Sequence, residues 1–106
     1  MQELRTQARI RIDEDIELID INVEQPLGKL INISTGGFML LAGGAIPTNQ
    51  LFQLRLQLSN GDEFAEFGAE CLWAQETSDE GHFWVGFQII DISPEHQKIL
   101  NSVIGD

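Results

Sequence analysis

The sequence predicts an all-β fold, a six-stranded antiparallel β-barrel with one short C-terminal helix. Three observations lead there. Apolar and polar residues alternate with period two through most of the chain. Gly, Pro and Asn interrupt those runs at short intervals. Apolar residues at helical spacing occur near the end, after Ser93-Pro94-Glu95. A sheet of short antiparallel strands hides its edges by closing on itself.

The elements follow in order. Ile10, Ile12, Ile16 and Leu18 share one parity, and Arg9, Arg11, Asp13, Asp15 and Glu17 take the other. Residues 9–18 therefore read as a half-buried strand. At Leu18-Ile19 the parity flips, and Ile19, Ile21 and Val23 continue on odd numbers. A flip without a turn residue predicts a bulge or bend. Pro26 and Gly28 are expected to mark a turn. Lys29 to Ile33 is a short strand, ended by Ser34-Thr35-Gly36-Gly37, and Phe38 to Leu41 is the next. Residues 42–50 read as a loop. Phe52, Leu54, Leu56 and Leu58 then alternate with Gln53, Arg55 and Gln57. Asn60-Gly61 predicts a hairpin, since both residues tolerate positive φ. The return strand puts Ala65, Phe67, Ala69, Cys71 and Trp73 on one face, which makes Cys71 and Trp73 core residues. Polar residues 75–82 turn the chain into a last strand carrying Phe83, Val85, Phe87 and Ile89. Trp84 has the opposite parity, and its place, under the helix or on the surface, is left open. Ser93 is a good N-cap, Pro94 fits the first helical position, and Gly105 can end the helix. Ile99, Leu100, Val103 and Ile104 give the helix an apolar stripe to plug one open end.

The 106 residues suit a single domain over 1–106, with 42% hydrophobic and 22% charged residues to build a modest core. Residues 1–8 read as a flexible N-terminal segment carrying an arginine motif, and residues 93–104 as the helix. No apolar run approaches the roughly 20 residues that span a membrane. The N-terminal residues do not resemble a secretory signal, and a lone cysteine suits a reducing compartment, so the cytoplasm is expected. The two histidines and Cys71 lack metal-ligand spacing, and no metal or cofactor is expected. Ser34 has no recognisable base partner, so no enzymatic activity is expected. The run Asp13-Glu14-Asp15 reads as a solvated strand edge.

A formal charge of −11 argues against DNA or RNA as partner. The average hides a local exception: Arg5, Arg9 and Arg11 lie close together, while Lys29, Arg55 and Lys98 are scattered. Arg5-Thr6-Gln7-Ala8-Arg9 offers two planar forks able to chelate a phosphate or the O6/N7 edge of guanine. Alone, it also reads as a basic terminus that touches nothing. Asn32-Ile33-Ser34-Thr35-Gly36-Gly37 joins two strands. Its amide can read a base edge, its hydroxyl can meet a phosphate, and its glycines let backbone approach a ligand. Alone, it also reads as an ordinary tight turn.

Taken together, the two motifs resemble those of the PilZ domain family. The likeness covers nearly the whole chain. It includes the apolar strand after Gly37 and a Gly86-Phe87-Gln88-Ile89 strand running through Asp91-Ile92-Ser93 into the helix. The resemblance implies a six-stranded split barrel that binds the bacterial second messenger cyclic di-GMP. It implies binding through Arg5, Arg9, Asn32, Ser34 and Gly37, with the signal relayed to a partner protein in motility or biofilm control. Family members often carry a further arginine before the first of the pair, where this chain has Leu4. That leaves open whether one or two ligands bind per chain, and monomer and homodimer both remain open. The alternative is a nucleotide-independent adaptor of the same fold in pilus or motility control. An oligonucleotide-binding barrel would need basic grooves, which the acidic composition opposes.

Overall fold

The alternating runs become short strands in the computed structural model, which describes residues 10–12, 14–58 and 63–105. They are β1 (Ile10–Arg11), β2 (Glu17–Asp20), β3 (Gln25–Ile33), β4 (Gly37–Ala42), β5 (Leu51–Gln57), β6 (Phe64–Glu76) and β7 (Phe83–Ile92). The helix α1 (Pro94–Ile104) follows. Pairing runs antiparallel through β3, β2, β5, β6, β7 and β4, and β4 returns to β3. Six strands thus close the predicted barrel. β3 makes the closure. One of its edges takes β4, and the other is shared by β2 along Gln25–Lys29 and β1 at Asn32–Ile33.

The core lies inside. Leu18, Leu30, Ile33, Leu40, Leu54, Leu56 and Val85 are fully buried. Phe38 stacks on Phe87 with centroids 5.0 Å apart and meets the edge of Phe67 at 5.7 Å. Each such side chain contributes roughly 1.5–3 kcal/mol by leaving water. Cys71 is 0% exposed. Burial pushes its thiol pKa up, against a smaller lowering influence from its contact with Trp73 backbone. The thiol therefore stays neutral and unreactive.

The helix starts and stops where its sequence says. The Ser93 hydroxyl accepts from the His96 N–H at 3.2 Å, and Pro94 and Glu95 occupy the first turn. Gly105, at φ 99, donates its N–H to the Asn101 carbonyl at 2.9 Å. The helix packs against β6 with Leu100 fully buried. His96 fastens it there: neutral Nδ1 accepts from the Glu66 N–H at 3.1 Å, and protonated Nδ1 would face the Glu66 carbonyl at 3.2 Å.

Several expectations need correction. The strand over 9–18 is interrupted, because the ladder lapses between β1 and β2. Glu14 and Asp15 lie exposed in that gap, with Asp15 3.9 Å from Lys29. Ile21 and Val23 do not continue the strand; residues 21–24 are the turn. There the Asp20 carboxylate accepts from Asn22 N–H at 3.0 Å, and Glu24 adopts φ 54. Pro26 and Gly28 do not mark a turn; both sit within β3. Pro26 falls beside the bulge at Leu18/Ile19, where a missing N–H is tolerated. Gly28 is needed for close approach: a Cβ there would lie 2.9 Å from the Leu41 carbonyl oxygen. Trp73 is not core. A register shift between Cys71 and Trp73 turns it outward, and it is 39% exposed. Trp84 is partly buried on the same outer face.

Other expectations hold. The parity flip at Leu18-Ile19 is a register shift, as read from the sequence. β5 and β6 pair antiparallel up to Gln57 and Phe64; Asn60 and Gly61 lie outside the described residues. So do residues 1–9. Arg55 ties the 21–24 turn to β6, 3.1 Å from Glu24 and 3.3 Å from Glu66. These two hydrogen-bonded carboxylates, Glu24 foremost, hold the guanidinium pKa above its ordinary value.

Phe38→Ala, which removes the centre of the aromatic cluster, is expected to lower stability by about 3–5 kcal/mol in urea unfolding. A thiol reagent at pH 8 is expected to leave Cys71 unlabelled in the folded protein and to label it fully in denaturant.

Candidate functional site

The corner between β3 and β4 is built by its own residues. The Ser34 N–H donates to the Gly37 carbonyl at 2.8 Å, and the Ser34 hydroxyl donates to the same carbonyl at 3.3 Å. The hydroxyl oxygen accepts from the Gly36 N–H at 3.3 Å. Ser34 is only 3% exposed. Its hydroxyl therefore shapes the turn, holding backbone groups in place around the corner. β7 clasps the corner from the far side. The Ile89 N–H donates to the Gly36 carbonyl at 3.0 Å, and Gly37 pairs with Gln88.

Asn32 reaches the outer surface through a break in alternation. Leu30 and Ile33 are both fully buried although three residues apart. The β3–β4 register accommodates this with a shift between Leu30 and Asn32, so Ile31 is the extra residue. Asn32 then faces outward between two core positions. A bulge re-aims a side chain in this way at little cost to the ladder.

The register links Asn32 to a row across the barrel wall. Arg11 on β1 is its partner on one side and Met39 on β4 on the other. Met39 pairs with Gly86 on β7, and Gly86 with Trp73 on β6. Opposite residues in such pairs hold their Cβ atoms about 4.5–5.5 Å apart. The Trp73 indole covers Gly86 so closely that a Cβ at Gly86 would collide with the ring. A flat aromatic surface thus lies on the same outer face as Asn32 and Arg11.

Of the residues singled out in the sequence, Asn32, Ser34 and Gly37 lie within one corner. Arg5 and Arg9 lie outside the described residues. Arg11, which matched neither motif, stands directly opposite Asn32. Its signal was its parity: it shares the polar face of the strand with Arg9. Trp73 was missed because alternation assigned it to the core. Among the described residues, no group of three or more His, Cys, Asp or Glu side chains could hold a metal ion. No helix among them is long and apolar enough to cross a membrane.

Comparison with known proteins gives a consistent set of matches. A family model described as PilZ domain matches residues 3–105. The structure of the Bacillus subtilis inhibitor of motility, MotI/DgrA, superposes with a TM-score of 0.74 at 16% identity, over 97% of this chain and 50% of that one. Escherichia coli YcgR in complex with c-di-GMP gives a TM-score of 0.72 at 18% identity, over 92% of this chain and 43% of that one. At such identities the likeness is one of fold, and the chain spans half or less of each of these proteins. No curated protein sequence matches significantly.

Ser34→Ala removes both hydroxyl bonds of the corner. Urea unfolding is expected to show a loss of about 1–2 kcal/mol.

Proposed function

The chain belongs to the PilZ domain family, and from that premise we propose that it is a receptor for cyclic di-GMP. The observation that carries the reading is the outward placement of Asn32. It sits beside a turn held rigid by its own hydrogen bonds and in one row with Trp73. A cyclic dinucleotide of guanine is a dianion with two flat bases. Its recognition calls for cations, a base-edge reader and an aromatic surface.

Each requirement has a candidate here. Arg5 and Arg9 neutralise the phosphates and present forks to guanine O6 and N7. Asn32 reads a base edge with its amide. Gly36 and Gly37 leave the corner without side chains that would keep a ligand away. Ser34 acts mainly by fixing that corner. Trp73 offers a ring on which a base can stack, a contact of roughly 1–3 kcal/mol. Two arginine contacts of about 1.5–3 kcal/mol each supply much of a micromolar affinity. YcgR, of the same fold, was solved with c-di-GMP bound, which supports the same ligand for this chain.

The role is binding and relay, without catalysis. The ligand is gripped by Arg5 and Arg9 beside the barrel wall, and the altered surface engages a partner protein. That is a population shift driven by contacts made in one state alone. MotI/DgrA is named as an inhibitor of motility, and motility control is the process we favour.

Calorimetric titration with cyclic di-GMP tests the reading. Micromolar or tighter binding is expected, and Arg9→Ala is expected to abolish it with little change in melting temperature. Absence of heat and of Trp fluorescence change at high nucleotide concentration would instead favour the nucleotide-independent adaptor.

A further inference from the structure

We propose that Arg11 is a third guanidinium of the same nucleotide site, and that it reads guanine from the barrel wall. The inference rests on the cyclic di-GMP reading and extends it to a residue outside both motifs. Arg11 pairs with Asn32 in the β1–β3 ladder, and the two side chains leave the same face. The adjacent residues Ile10 and Ile33 are paired in the same ladder. The Ile12 N–H donates to the Ile31 carbonyl at 2.9 Å, so Arg11 is held on both sides.

Position separates Arg11 from the other described cations. Arg55 lies on β5, and Lys29 lies on β3 between Glu17 and Leu41. Lys98 lies on α1. Arg11 is the basic residue opposite the amide of the corner. On a chain of formal charge −11, that placement sets a cation where a dianion would need it.

The chemistry suits a specificity role. A guanidinium donates two parallel N–H groups, which match the O6 and N7 acceptors of guanine. Adenine presents a donor where guanine presents O6, so the same fork rejects it. Because its backbone is already in the ladder, Arg11 gives up little backbone freedom on binding. A ligand held by Arg11 and Asn32 together also ties β1 to β3.

The test compares wild type, Arg11→Ala and Arg11→Lys by calorimetry with cyclic di-GMP and with cyclic di-AMP, alongside melting temperatures. Arg11→Ala is expected to weaken cyclic di-GMP binding about tenfold or more and to narrow the preference over cyclic di-AMP, with the melting temperature unchanged. Arg11→Lys, which keeps the charge and loses the fork, is expected to recover part of the affinity but not the discrimination. Wild-type affinity and discrimination in Arg11→Ala would overturn the inference while leaving the receptor reading intact. So would a loss of affinity that tracks a fall in melting temperature and is fully restored by lysine. A wild-type protein that ignores cyclic di-GMP would overturn both.

Discussion

The candidate site depends on one geometric constraint: Leu30 and Ile33 must both face the core although they are three residues apart. A regular strand cannot do this, since its side chains alternate. The extra residue at Ile31 resolves the conflict, and Asn32 is delivered to the surface as a consequence. The demand comes from packing, because both leucine and isoleucine are fully buried beneath the barrel wall. The chemical outcome, an amide fixed on the outer face beside a turn, follows from hydrophobic burial. The candidate site and the core therefore share the same irregularity in β3.

Similar breaks shape the rest of the wall. The register shift near Leu72 turns Trp73 out of the core and onto Gly86. The shift at Leu18/Ile19 lets β2 follow the curve of the barrel. β3 gives one edge to two separate strands, so the barrel can close through β2 while β1 remains a short addition beside the corner. The inward-facing and outward-facing contacts are thereby made by different residues of one strand. Substitutions on the outer row can alter the surface while the inner row keeps the fold.

Much of this was legible in the sequence. Alternation gave the closed sheet, and Ser93-Pro94-Glu95 with Gly105 gave the helix nearly to the residue. The flip at Leu18-Ile19 announced its bulge because no turn residue stood there to explain it. The bulge at Leu72 was easy to miss, since Ala65, Phe67, Ala69, Cys71 and Trp73 share one parity and only apolar Leu72 departs from the polar one. Pro26 and Gly28 misled for a related reason. The residues that usually make turns were used instead for a tolerated gap in the ladder and for a close approach to Leu41. The true turn at 21–24 was hidden by apolar Ile21 and Val23, although Asp20 and Asn22 carried its chemistry. The corner motif was legible as a place, but Ser34 proved to be turned into the corner itself.

The placement of α1 along β6 has a practical bearing on how the protein can be labelled. His96 anchors the helix at Glu66, whereas Trp73 lies seven residues further along the same strand, a separation of about 23 Å at the usual rise per residue. Whatever is attached to the first turn of α1 is therefore carried well away along the strand from the exposed indole. A fluorescent probe placed at exposed Glu95, on that first turn, leaves the surface around Trp73 open to its surroundings.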